Sequence, residues 1–265
     1  MKRPDYKNWV PKSMVIGLGA ATAASASLSV LFGATESILK GRPRQIAAAA
    51  FGAATPVLLF YTGWMGALHR TFDYNGKRKL AKTIIEGTAD FVTLPDGGTG
   101  LDVGCGSGAL TIACAKRNPR AKMVGCDIWS GAYKAVFTKK RCKENAEAEG
   151  VANVRFTEGN AVHLPFPDES FDAVTSNYVY HNIAGENKQT LLLETLRVLK
   201  KGGSFAIHDL MSKARYGDMD AFVRKLKAEG YEDVRLIDTT DGRFMGRKEA
   251  ALLGLGGSTL LVGRK

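Results

Sequence analysis

The sequence predicts an α/β fold: a doubly wound, mostly parallel sheet preceded by two hydrophobic, membrane-spanning helices. Three observations predict it. Short apolar runs alternate with helical patterns from Tyr74 onward, two long uncharged stretches fill the first 70 residues, and a glycine-rich loop follows the first apolar run of the alternating part. A chain of 265 residues with 45% hydrophobic content holds one α/β domain and an appendage. The expected division is a hydrophobic helical hairpin over 1–70 and a catalytic domain over 71–265.

Residues 14–32 carry no charge over 19 positions, and residues 46–68 carry none over 23. About 20 such residues cross the hydrocarbon core of a bilayer as a helix. Trp9, Tyr61 and Trp64 lie near the segment ends, where aromatic rings suit the interface. Pro56 falls inside the second segment, a position that membrane helices tolerate. Gly17, Ala21, Ser25 and Ser29 recur every four positions and predict a face on which the two helices pack closely. Both outer flanks are somewhat more basic than the loop between the segments, so both ends are expected on the cytoplasmic side. The alternatives are a surface-lying hairpin, a pair of buried soluble helices, and a signal peptide cleaved near Ala24-Ser25-Ala26. On the anchor reading, deleting residues 1–70 should leave a soluble, ligand-competent body.

Charge supports the same division. Residues 1–82 carry twelve basic and three acidic side chains, leaving a net of only +2 of the chain's +11 on the rest. Basic residues beside apolar spans suit an anionic lipid surface. A nearly balanced body argues against a nucleic-acid partner. Four cysteines, with no zinc spacing, read as free thiols in a reducing compartment, and no metal site is expected.

In the body, a helix is expected over 76–92. Strands are expected near 99–104, 122–126, 153–157, 171–176, 203–208, 232–237 and 258–263. Helices are expected over 107–117, 131–149, 187–199 and 217–229. A short Gly-rich stretch, Gly254 to Gly257, precedes the last strand, so that strand is expected to return antiparallel. Ligands of such sheets bind at the carboxyl ends of the strands.

The first of those ends carries Leu101-Asp102-Val103-Gly104-Cys105-Gly106-Ser107-Gly108, a loop that lets a ligand lie against the backbone at a helix N-terminus. Gly104, Gly106 and Ala109 also satisfy a dinucleotide pattern. Asp127 ends the second strand, placed to accept hydrogen bonds from ribose hydroxyls; the bland alternative is a helix cap.

The chain resembles the class I S-adenosylmethionine-dependent methyltransferases over residues 74–265. The resemblance rests on LDVGCGSG (101–108), Asp127, EGNAVHLPFPDESFDAV (158–174) and LRVLKKGGSFAI (196–207). It implies a seven-stranded sheet with a late antiparallel strand, S-adenosyl-L-methionine as cofactor and S-adenosyl-L-homocysteine as product. It implies cofactor contacts at Asp102, Gly104, Cys105, Gly106, Gly108, Asp127, Ile128, Asn160, Ala161 and Asn177. Many relatives read Gly-Asp-Ala after strand three; this chain reads Gly159-Asn160-Ala161, which leaves an uncharged acceptor.

Relatives place methyl-transfer groups in the loop after strand four, here Ser176-Asn177-Tyr178-Val179-Tyr180-His181-Asn182. His181 is the candidate base and Tyr178 a second catalytic candidate, with structural roles as the alternatives. His208-Asp209, ending strand five, is a further pair. The expected acceptor is a small molecule, and a membrane anchor favours a lipophilic one. A nicotinamide-dependent oxidoreductase and a non-catalytic adenosyl-binding membrane scaffold are the competing readings.

Overall fold

The computed structural model describes residues 3–130 and 136–265 and divides into two compact units. One comprises residues 8–81. The other comprises residues 1–7 together with 82–265. The division therefore differs from the one expected at residue 70: residues 3–7 belong to the larger unit.

The smaller unit is a helical hairpin of α1 (Lys12–Ala34) and α2 (Gly41–Phe72). Both helices are long and apolar enough to cross a membrane, and large side chains such as Ile16, Val30, Leu59 and Phe60 are exposed along them. Small hydroxyl residues join the two. Thr22 Oγ1 lies 3.0 Å from Thr62 Oγ1, Ser25 donates to the Phe51 carbonyl at 3.0 Å and Ser29 to the Ala48 carbonyl at 2.9 Å. A Cβ on Gly52 would lie 3.1 Å from Ser29 Oγ, so the backbones approach closely there. The packing face differs from the expected one at two positions. Ser25 and Ser29 belong to it, but Gly17 and Ala21 are exposed and Gly19 and Thr22 take their places. A strict four-residue repeat drifts around a helix of 3.6 residues per turn, and the mixed steps of three and four from Gly19 through Thr22 and Ser25 to Ser29 follow the contact. The open end is closed by Asn8, whose Nδ2 donates to the His69 carbonyl at 2.6 Å, and by His69 Nδ1, 2.7 Å from the Val10 carbonyl oxygen.

The larger unit is a seven-stranded sheet of β1 (Thr99–Val103), β2 (Lys122–Asp127), β3 (Val154–Glu158), β4 (Phe171–Asn177), β5 (Leu199–Leu210), β6 (Glu232–Asp238) and β7 (Ser258–Arg264). The order is β3-β2-β1-β4-β5-β7-β6. All pairs are parallel except those of β7, which runs antiparallel to both β5 and β6. β1 and β4 lie at the centre of the sheet and are buried along most of their length, polar residues such as Asp102, Thr175 and Ser176 included.

Helices α4 (Ala109–Arg117), α5 (Lys139–Ala148), α6 (Lys188–Arg197) and α8 (Met219–Ala228) pack against β2, β3, β5 and β6 in turn. The helix expected over 131–149 is observed as α5, and positions 131–135 of that expectation lie outside the described residues. The short helices are α7 (Lys213–Tyr216) and α9 (Arg247–Leu252), and α3 (Leu80–Ala89) leads into β1. Thr138, Asn187 and Asp218 cap the helices that follow them by accepting backbone N–H groups. The core joins Leu101, Val103, Val174, Phe205 and Ile207 of the sheet to Leu192 and Leu196 of α6 and to Phe222 and Leu226 of α8. Strand order reverses between β1 and β4, which opens a crevice at their carboxyl ends.

Candidate active site

Two groups of residues converge on that edge. The first is the turn after β1. The N–H groups of Gly104 and Cys105 both donate to the Cys126 carbonyl, at 2.7 and 3.1 Å, which fastens the turn to the end of β2. Gly104 has φ +71°, and a Cβ there would lie 2.3 Å from Val179 Cγ2, so only glycine fits between the turn and the loop after β4.

Asp127 links the second loop to the first. Its Oδ2 accepts from Gly106 N at 2.9 Å and its Oδ1 from Trp129 N at 2.8 Å. Trp129 returns the contact, with Nε1 donating to the Gly106 carbonyl at 2.9 Å. Asp102 is buried beneath the turn and accepts from Thr111 Oγ1 at 2.6 Å. Burial pushes its carboxyl up to about 7, and the Asp127 charge adds to the rise against the Thr111 hydrogen bond. Two acidic side chains thus flank one glycine turn, which suits a positively charged ligand. Burial also drives the Cys105 thiol well up, so it stays protonated.

Around this turn, Ile128 and Val162 are among the few large apolar side chains that the body exposes, and both follow strands that end beside Asp127. Asn160 Oδ1 accepts from Val162 N at 3.0 Å, so its carbonyl shapes its own turn, beside the buried Ala161. His163 points to solvent. Sequence reasoning missed Trp129, Phe137, Cys142 and Asn145, which grip the turn: Phe137 lies 3.9 Å from a Gly106 Cβ position, Cys142 Sγ contacts the Gly106 carbonyl at 3.2 Å, and Asn145 Nδ2 donates to the Ser107 carbonyl at 3.0 Å.

The second group lies at the ends of β4 and β5. Asn177 pairs with His208 in register, and the Tyr178 N–H donates to the His208 carbonyl at 2.8 Å. Tyr178 then turns the chain with φ +54°, uncommon for a bulky residue, into the 3-10 turn Tyr180–Asn182. That turn delivers His181 to Asp209. Its Nδ1 lies 2.5 Å from Asp209 Oδ1, and its backbone N–H donates to Asp209 Oδ2 at 3.2 Å. Asp209 is fully buried; burial alone would raise its pKa, but the His181 hydrogen bond and charge and the Leu210 N–H hold it below the usual carboxylate value. The pairing differs from the expected His208-Asp209. His208 is fully buried, Nδ1 lies 2.8 Å from Asn177 Oδ1, Nε2 lies 3.0 Å from Thr239 Oγ1, and burial pushes its pKa down to about 3. It is a neutral structural group. The Tyr178 hydroxyl is bonded to Ser258 Oγ and burial raises its pKa, so the phenol is no base; its ring stands 5.9 Å from the His181 ring.

The chain has relatives among known proteins. A methyltransferase-domain family model matches residues 101–207. The demethylmenaquinone methyltransferase of Geobacillus stearothermophilus is 32% identical over 162 residues, 57% of this chain and 66% of that protein. An arsenite methyltransferase of Halobacterium salinarum is 36% identical over 129 residues, 48% of this chain and 31% of its own length. Residues 101–207 carry a methyltransferase domain, and the chain is similar to the class I S-adenosylmethionine-dependent methyltransferases. The match spans just under two thirds of the Geobacillus relative. Among solved structures, the chain shares its fold with the cyclase SpnF (TM-score 0.53, 20% identity, 73% of this chain and 85% of that one). It also shares it with a geranyl diphosphate methyltransferase in complex with GPP and sinefungin (TM-score 0.51, 17% identity, 72% and 84%).

Proposed function

We propose that the chain transfers a methyl group from S-adenosylmethionine to a small lipophilic acceptor, of the quinol type, at the cytoplasmic face of a membrane. The observation that carries the reading is the pairing of a glycine turn flanked by Asp102 and Asp127 with the His181–Asp209 pair on the next strands. The two carboxylates fit a ligand that bears a sulfonium and an ammonium. Gly104, Cys105, Gly106 and Gly108 would border its methionyl and ribose parts, Asp127 the ribose hydroxyls, and Ile128, Asn160, Ala161 and Val162 the adenine. Asn177, held by His208, would border the methyl side.

The cofactor supplies an electrophilic methyl group. The protein's own work is to align the acceptor, exclude water and manage one proton. Asp209 fixes the His181 ring through Nδ1, which leaves Nε2 to take a proton from an acceptor hydroxyl. The buried carboxylate then stabilises the imidazolium that forms. The acceptor class draws on the demethylmenaquinone methyltransferases among the relatives and on the two apolar helices of the hairpin, which this reading takes as the membrane anchor. The reading is that of an active enzyme rather than an adenosyl-binding scaffold, because a scaffold has no use for an oriented His–Asp pair.

The test is calorimetry on detergent-purified protein. S-adenosylmethionine and S-adenosylhomocysteine are expected to bind at micromolar concentration, and Asp127→Ala is expected to lose most of that affinity with the fold intact. Labelled methyl is then expected to enter a lipid extract containing demethylated quinols. Binding of nicotinamide cofactors instead, or cofactor binding with no transfer to any extract, overturns the proposal.

A further inference from the structure

Residues 4–6 lie far from β1 in sequence, yet they belong to the catalytic body, and the way they are held involves the cofactor turn. The Asp5 N–H donates to Asn145 Oδ1 at 2.7 Å, and Asn145 Nδ2 donates back to the Asp5 carbonyl at 3.2 Å. The same Nδ2 donates to the Ser107 carbonyl at 3.0 Å. An amide has two donor hydrogens and one carbonyl, and here each hydrogen has its own carbonyl partner. Asn145 is 2% exposed, so a lost partner would leave a buried polar group.

Helical spacing explains how α5 does this. Arg141, Asn145 and Glu149 are four residues apart and share one face. Arg141 Nη1 binds Asp5 Oδ2 at 2.7 Å, Asn145 binds the Asp5 backbone, and Glu149 Oε1 accepts from Tyr6 Oη at 3.1 Å. Tyr6 is 5% exposed. Cys142 and Asn145 meanwhile hold the Gly106 and Ser107 carbonyls. Asn145 alone belongs to both sets.

We propose that residues 4–6 form a strap that sets the cofactor turn through Asn145, a positioning residue for S-adenosylmethionine. The proposal rests on the reading that this turn holds the cofactor. With the strap docked, the Asn145 amide has one orientation and presents a hydrogen to Ser107. With the strap released, its carbonyl and one hydrogen lose their partners and the amide is free to rotate. Affinity for the cofactor should fall while the chemical step, carried by His181, does not.

The experiment uses the full chain. Asp5→Pro removes the N–H that Asn145 accepts, and combining it with Tyr6→Ala removes the second hold. The double variant is expected to bind S-adenosylhomocysteine about tenfold more weakly and to raise KM for S-adenosylmethionine by a similar factor, with kcat at saturation within twofold. Asp5→Asn, which keeps both backbone bonds, is expected to bind as wild type does. Linkage adds a measurement that needs no variant: saturating S-adenosylhomocysteine should slow amide exchange at Asp5, where no ligand atom is expected. Unchanged affinity in a folded double variant, or exchange at Asp5 indifferent to ligand, overturns the strap. Failure of the wild-type chain to bind S-adenosylhomocysteine would instead remove the cofactor reading itself, and the strap with it.

Discussion

Asp209 holds His181 twice: Oδ1 lies 2.5 Å from the ring Nδ1, and Oδ2 accepts the backbone N–H of the same residue at 3.2 Å. One buried carboxylate therefore fixes the imidazole and the turn that carries it. Asp209→Asn keeps the shape and removes the charge. The expected result is a fall in kcat of about 10²–10³-fold, with affinity for S-adenosylhomocysteine unchanged. His181→Ala should do the same. A variant with near-normal turnover would show that the acceptor needs no base.

Tyr178 is the matching control. Its hydroxyl is engaged by Ser258 and burial raises its pKa, so Tyr178→Phe is expected to keep kcat within a few fold. Thermal unfolding should report a loss of about 1 kcal/mol for the missing hydrogen bond. A large drop in kcat without a stability change would return Tyr178 to the chemistry.

The Asp102 carboxyl, pushed up to about 7 by burial, gives a pH signature. A cationic ligand favours the ionised form, so S-adenosylmethionine affinity should rise by up to about tenfold between pH 6 and pH 8. The ligand-free protein should behave oppositely. Because the folded pKa lies above the ordinary 3.8, the stability tied to this group is complete below about pH 4 and is lost as pH rises through about 7. Asp102→Asn should flatten both profiles. Calorimetry and melting curves across this range check the two signs together.

Gly104→Ala meets two costs, the φ of +71° and a Cβ within 2.3 Å of Val179. Stability should fall by about 2–4 kcal/mol, with cofactor binding lost. Adding Val179→Ala should recover the steric share and leave about 1–2 kcal/mol of backbone strain. Full recovery in the double variant would mean that the conformation of Gly104 is not required.

Much of this protein is legible in its sequence because the signals are local. Each of the seven strands was expected from an apolar run, and the antiparallel return of β7 from the Gly254–Gly257 stretch before it. Asp102, Asp127 and the glycines of the turn were legible from their places at strand ends. The His181 partner was not. Asp209 was visible beside His208, but which histidine it meets depends on the left-handed turn at Tyr178, and no spacing encodes that. Asn145 was invisible for the same reason: its partners, Asp5 and Ser107, stand 140 and 38 positions away. The hairpin face was half legible, since Ser25 and Ser29 announce it while the choice between Gly17 and Gly19 turns on a helical phase that small residues do not fix.

The membership of residues 1–7 in the larger unit makes the hairpin an interruption of the catalytic fold, as one domain is inserted into another. Two ways of removing it are then unequal. Truncation before residue 71 discards the segment docked on α5, so the simple shortening that an N-terminal anchor invites would yield a damaged enzyme. Excision of residues 8–79, with residues 7 and 80 rejoined by a flexible linker, keeps the segment docked on α5 and leaves α3 whole. For this chain, solubilising the catalytic half is a problem of splicing.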